Sequence, residues 1–221
     1  MSVRQRALML MRIGSKLKET LSGTNIPTPP FNFAVQVGDP VLRKRAENVK
    51  PEDIKSPEIQ KLILSMRDVM KRNHTFGISA CQVGVPLRVF LTELPHDAIG
   101  QFPREELVNQ QIIPWSCKVF INPKLVIEDS SKLTHKEGCL SVQGFTADVP
   151  RAMKVKVEGL NEAGLPHCWT VSHFAARVVQ HEMDHLDGKL FVDIMNPLSF
   201  QFVLWKYVQQ LPRARKGFGG L

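Results

Sequence analysis

His181-Glu182-Met183-Asp184-His185 is an H-E-x-x-H stretch set in an apolar-periodic segment, and its reading governs the rest of the chain. Four residues along a helix return to nearly the same face. Both imidazoles can therefore reach one divalent metal ion while Glu182 stands beside the remaining coordination positions. The helix is predicted from about Phe174 to His185. Phe174 and Val178 fall on the His181 face of that helix and are candidates to line an apolar pocket beside the metal, with core packing as the alternative for both.

A catalytic site of this kind takes three protein ligands and leaves one position open. A metzincin protease would add a third His in H-E-x-x-H-x-x-G-x-x-H; Gly188 fits, but Phe191 occupies the His position. A thermolysin-like site needs a Glu further on, and none follows Glu182. Asp187 and Asp193 remain formal candidates and would make the chain a zinc endopeptidase. Upstream, Glu137-Gly138-Cys139-Leu140-Ser141-Val142 offers a thiol beside a glycine that lets backbone approach a metal. Taken alone, a lone Cys is more often an inert buried residue.

The 221 residues, 43% apolar and 23% charged, suit one soluble catalytic domain. The formal charge of +8 sits at the two ends. Arg4, Arg6, Arg12, Lys16 and Lys18 lie in an acid-free start, and Arg213, Arg215 and Lys216 in an acid-free finish. Without those eight charges the body is balanced, which argues against a DNA-binding groove. The first segment interleaves its basic residues with Leu8, Met9, Leu10, Met11 and Ile13 and reads as a mitochondrial targeting peptide, with a solvated tail as the plainer alternative. Cys81, Cys117, Cys139 and Cys168 form no C-x-x-C pair and read as thiols or ligands. No run of about 18 apolar residues predicts a membrane span.

Residues 1–33 are expected to be leader and linker, 34–212 the catalytic domain and 213–221 a basic tail. A helix is predicted from Pro57 to about Asn73, capped by Ser56, with Ile59, Leu62, Ile63, Met66, Val69 and Met70 as its apolar stripe. Short strands are predicted at Leu87 to Thr92, Val119 to Asn122, Leu125 to Glu128 and Met153 to Glu158. Residues 95–117 read as a surface insertion without assigned function. A closing helix is predicted from Asn196 and Pro197 through Phe202, Trp205 and Val208.

Gly77-Ile78-Ser79-Ala80-Cys81-Gln82, Glu137-Gly138-Cys139-Leu140-Ser141 and Gln180-His181-Glu182-Met183-Asp184-His185-Leu186-Asp187-Gly188 resemble, in this order, the three signature motifs of the peptide deformylase family. Supporting similarity runs from Gly38-Asp39-Pro40-Val41-Leu42-Arg43 to Phe191. The first motif departs from the family form at Thr75, where a glycine is usual, and at Cys81, where proline is common.

The resemblance implies an α+β fold, with short antiparallel strands packed around a central helix carrying H-E-x-x-H. It implies Cys139, His181 and His185 as ligands of one divalent metal ion, water in the fourth position, and Glu182 as the acid-base group. Gln82, through its amide, and Leu140, through its backbone N–H, would donate to the oxyanion. Phe76, Gly77, Ile78 and Gly138 would contact the substrate backbone. The implied reaction releases formate from N-formylmethionyl nascent peptides. Ferrous iron is the implied metal, and zinc, cobalt or nickel also suit these donors. The leader and the insertion resemble the mitochondrial branch, placing the chain in the matrix. The tail is expected to be solvated, with contact to the mitochondrial ribosome as the alternative. A non-catalytic, ribosome-associated metal-binding protein is the competing reading from another class.

Overall fold

Ser56 and Pro57 open the first helix, α1 (Pro57–Arg72): the serine hydroxyl accepts the Ile59 N–H, and proline supplies a first-turn φ at no hydrogen-bond cost. Its buried residues are Ile59, Leu62, Ile63, Met66, Val69 and Met70, the stripe expected from their spacing. The computed structural model describes residues 27–210, so the predicted leader before residue 27 and the tail at 213–221 lie outside the described residues. The chain already joins the body at Phe31, whose N–H donates to the Val83 carbonyl.

Behind α1 lies an antiparallel sheet. Its strands are β1 (Gly77–Ser79), β2 (Val89–Leu94), β3 (Trp115–Cys139), β4 (Val142–Leu160) and β5 (Pro166–Ser172), neighbours in that order. The helix α2 (Arg104–Asn109) lies between β2 and β3, and α3 (His173–Leu186) follows β5 directly. The short β6 (Gln201–Phe202) adds to β4, and α4 (Trp205–Gln210) follows it. The antiparallel sheet with few helices is the α+β class that the motifs imply.

The α3 helix buries Ala176, Val179, Met183 and Leu186 against Phe90, Phe120, Val155 and Val157. Burying each of the Val, Leu, Met and Phe side chains among these contributes about 1.5–3 kcal/mol. Gln180 fixes the helix to the sheet: its Oε1 accepts the Ala152 N–H at 3.0 Å and its Nε2 donates to the Ala152 carbonyl at 2.9 Å. The metal-ligand helix is thus held by packing on one face and by a strand-like pair of hydrogen bonds.

Three sequence expectations need correction. The two predicted strands at Val119 to Asn122 and Leu125 to Glu128 are one 25-residue strand, and Met153 to Glu158 is part of the 19-residue β4. Asn122-Pro123 looked like a break because it is a bulge: Asn122 has φ 52°, the register shifts between Ile121 and Lys124, and the Asn122 side chain grips both Val49 N–H and its carbonyl. The predicted closing helix is a single 3-10 turn, Pro197–Ser199, then β6, then α4. Asn196 does cap that turn, but beyond it Phe202 pairs with Phe145 of β4, and strand pairing replaces helix propagation. Finally, residues 95–117 are not a bare surface loop, since Ala98 and Ile112 are buried with Leu94 in a small core of their own.

Candidate metal centre

Cys139 ends β3, and a two-residue turn, Leu140 and Ser141, carries the chain into β4. This turn aims the thiol at α3, where His181 and His185 lie one helical turn apart. Cys139 Sγ lies 3.3 Å from His185 Nε2, and the three donor atoms all fall within 4.8 Å of one another. Ligands at about 2.0–2.3 Å from one ion sit roughly 3.3–3.8 Å apart, so the cluster is close to the spacing a metal requires. Among the described residues this is the one group of three such donors close enough to hold an ion.

The orientation of each donor has a cause. His181 Nδ1 is 3.1 Å from Glu137 Oε2, which leaves its Nε2 for the cluster. Glu137 is in turn gripped by Arg151, Nε to Oε1 at 2.9 Å and Nη2 to Oε2 at 3.0 Å, and by Arg177 Nη1 at 2.7 Å. Burial works against the Glu137 charge, but His181 and Arg151 hold its carboxyl well below the usual carboxylate range. Glu137 is therefore ionised, and His181 Nδ1 carries the proton of their shared hydrogen bond. Arg151 also reaches Asp184 of the motif at 2.5 Å, and Arg177 donates to the Leu133 and Val149 carbonyls.

Burial likewise opposes ionisation of Cys139, yet the adjacent His185 and His181 hold its thiol well below the ordinary range. Ser141 N–H donates to the sulfur at 3.4 Å, and Gln82 Nε2 lies 3.7 Å from it. Gln82 occupies the third position of the 3-10 turn Ala80–Val83, where Ser79 N–H donates to its Oε1 at 2.9 Å. That bond assigns the amide: the NH2 end faces Cys139 and Ser141 Oγ. One thiolate and two imidazoles, with Glu137 orienting His181 and the Ser141 N–H on the sulfur, fit a divalent transition-metal ion.

Glu182 is 3% exposed, and its Oε2 is a buried acceptor without a hydrogen-bond partner. Burial raises its carboxyl to about 7, against the pull of His181 and His185. A Cβ on Gly77 would collide with this carboxylate, so the glycine of β1 is what admits Glu182 to its place.

A cavity of about 300 Å³ opens beside these groups. Of the sequence candidates, Phe76, Gly77, Gln82, Gly138, Leu140, Phe174 and Val178 line it with Cys139, His181 and Glu182. Ile78 does not: its side chain is fully buried in the core under α1, and only its backbone, on the outermost strand of the sheet order, is left for a substrate. Asp187 and Asp193, the alternative ligands, are committed elsewhere, to Arg88 at 2.9 Å and Arg43 at 2.5 Å. Phe102, Glu106, Gln110 and Arg177 also line the cavity and were not singled out from sequence. Arg177 alone left a signal there, as a charged residue four before His181 on a face otherwise expected to be apolar.

A sheet-borne helix whose H-E-x-x-H meets a cysteine from a strand turn defines a mononuclear metallohydrolase. The polypeptide deformylase family model matches residues 33–201, and the chain belongs to that family. It is 43% identical over 182 residues to the mitochondrial peptide deformylase of Homo sapiens, covering 82% of this chain and 75% of that protein. It is 38% identical over 202 residues to peptide deformylase 1A, chloroplastic/mitochondrial, of Arabidopsis thaliana, covering 91% and 72%. The solved peptide deformylase of Legionella pneumophila superposes with a TM-score of 0.63 at 32% identity, over 76% of this chain and 88% of that one. No helix among the described residues is long and apolar enough to cross a membrane.

Proposed function

We propose that this deformylase frees the N-terminal methionine amine of nascent polypeptides, using one divalent ion held by Cys139, His181 and His185. The observation that supports this reading is the cluster of those three donors at the end of a residue-sized cavity, with Glu182 buried beside them. Bound there, a divalent cation supplies Lewis acidity that polarises a carbonyl and lowers the pKa of water.

The chain's own residues handle the proton and the charge. Glu182 accepts the proton of the attacking water as its oxygen bonds to the formyl carbon, and returns it to the amine nitrogen as the C–N bond breaks. The products are formate and a free amine. Positioned acid-base help of this kind is worth roughly 10² to 10⁴ in rate. A carboxyl raised by burial is suited to carry a proton between the two transfers. Gln82 Nε2 and the Leu140 N–H act as donors to the oxyanion.

The methionine side chain enters the cavity beside Phe174 and Val178. The peptide that follows runs along a groove of about 340 Å³ past Gly138, Leu140 and Gly144, its backbone facing Phe76, Gly77 and Ile78. Ferrous iron is the metal in the cell, with oxidation of the iron or of Cys139 as the hazard and zinc, cobalt and nickel as substitutes. The basic stretch up to Lys18, which holds no acidic residue, supports import into the mitochondrial matrix, with cleavage before Ala34, where the enzyme meets peptides from the mitochondrial ribosome.

Two variants test the roles. Cys139→Ala is expected to lose stoichiometric metal, and Glu182→Gln to keep metal while formate release collapses. Retained metal in the first removes Cys139 from the ligand set, and unchanged turnover in the second removes Glu182 from the reaction.

A further inference from the structure

Residues from Phe31 to Val37 form a strap across the two loops that carry Gln82 and Leu140. Val35 anchors it in a core with Leu42, Val142 and Phe191, and the Phe31 ring packs on Gly84 where a side-chain carbon would stand. From there the strap's backbone reaches both loops. Val35 N–H donates to the Gln82 carbonyl at 2.8 Å, and Val37 N–H to the Ser141 carbonyl at 2.7 Å. Between them the Gln36 side chain bridges the turn that follows Cys139. Its Nε2 donates to the Leu140 carbonyl at 2.9 Å and to the Ala34 carbonyl at 3.1 Å, and its Oε1 accepts the Gln143 N–H at 3.3 Å. These partners assign the amide, since a carbonyl takes only the NH2 end and an N–H only the oxygen. The sheet itself does not fix this turn. The register of β3 and β4 slips between Gly138 and Cys139, leaving Gln143, Gly144 and Phe145 without partners on β3.

We propose that Gln36 is a positioning residue of the reaction, holding the turn from which the Leu140 N–H meets the oxyanion. The proposal rests on the deformylase reading of the site and names a residue that serves it from outside. Gln36 lines neither the cavity nor the groove, so it acts through Leu140 and touches no substrate. With the Leu140 and Ser141 carbonyls both held by the strap, the turn cannot swivel about Cys139, and the Leu140 N–H keeps its direction. The formyl oxygen gains its negative charge only as the water oxygen bonds to the formyl carbon and the carbonyl π pair moves onto that oxygen. A donor fixed beforehand stabilises that charge without reorganising, and a loosened one loses the advantage in the transition state while ground-state binding is kept.

The test measures formate release from formyl-methionyl-alanyl-serine by cobalt-loaded Gln36→Ala and Gln36→Glu in the full chain. Alanine removes the bridge. Glutamate keeps the length and the Gln143 contact but sets a carboxylate oxygen against the Leu140 carbonyl. Gln36 is exposed, so neither exchange opens the core. Both are expected to lower kcat about tenfold, part of the roughly 10² to 10³ that outright loss of an oxyanion donor costs, with KM changed less than about twofold. Cobalt stoichiometry and the thiolate-to-cobalt absorption band are expected to match the unaltered chain, because Cys139 stays in place. Asn32→Ala, at another exposed position of the strap, is expected to leave both kinetic constants unchanged. Unchanged kcat in both Gln36 variants, a rise in KM alone, or a fall in kcat that tracks lost cobalt overturns the proposal while leaving deformylation intact. Absence of formate with the unaltered chain overturns the deformylase reading itself, and the proposal with it.

Discussion

Gly77 and Glu182 touch: the β1 glycine stands where any side-chain carbon would strike the Glu182 carboxylate. Sheet edge and catalytic helix are thus fitted to each other through one missing atom. Gly77→Ala is expected to keep the fold and the metal but to displace the carboxylate, with a loss in kcat/KM of about 10²-fold, the usual cost of a misplacement near 1 Å. Kinetics beside metal analysis checks this, and unaltered kcat/KM would show that Glu182 tolerates a wide range of positions.

Removing Glu137 should damage stability and metal binding together. Its carboxylate is the shared partner of Arg151, Arg177 and His181, all buried or nearly so. Glu137→Ala leaves two buried guanidinium groups short of their counter-charge, a loss of about 3–5 kcal/mol. Without the carboxylate that holds its Nδ1, His181 should bind metal roughly 10–100-fold more weakly. Urea denaturation and a chelator competition measure the two effects. Stability close to that of the unaltered chain would place the anchorage of Arg177 in the Leu133 and Val149 carbonyls, and that of Arg151 in Asp184, instead.

The pH profile follows from Glu182. Burial raises its carboxyl to about 7 in the ion-free chain, and a bound divalent cation favours the carboxylate and so lowers this value. Only the carboxylate accepts a proton, so kcat/KM should rise with pH and reach its plateau through an acid limb below 7. A limb above pH 7, or a flat profile from pH 5 to 8, is the result that would count against Glu182 as the proton acceptor.

The cysteines should separate by accessibility. Cys81 is fully buried between the sheet and α3, and burial pushes its thiol up to about 11, whereas Cys168 is exposed on β5. Iodoacetamide on the native, cobalt-loaded protein is expected to label Cys168 and to spare Cys81. Cys139, whose thiol is held low by two histidines, should become reactive once a chelator strips the metal. Peptide mass spectrometry reads all three sites. Labelling of Cys139 at the same rate with and without metal would argue against its being a ligand.

Much of this site was legible in sequence because its signals are local. Helical spacing alone places His181, Glu182 and His185 on neighbouring positions, and the stripe of α1 follows from its period. Cys139 needed the motif around it, since a single thiol carries no period. What escaped is held by contacts distant in sequence. Phe102 meets Phe76 and Phe174 only in the fold, and nothing in residues 95–117 marks it as more than an apolar residue in a polar loop. The same is true of β3, where the Asn122-Pro123 bulge looks like an end because its compensating partner, Val49, lies 73 residues away. The C-terminal turn misled for a related reason: Asn196-Pro197 starts a helix well, but the pairing of Phe202 with Phe145 outweighs its continuation.

Deformylation at the Cys139, His181 and His185 site is read out by the release of formate. Protein loaded without oxygen with ferrous iron or cobalt would be given a formyl-methionyl peptide and, separately, the same peptide unformylated. Formate and the free amine are expected in equal amounts from the first, and fragments from neither. Internal cleavage of the unformylated peptide without formate from its partner would contradict it.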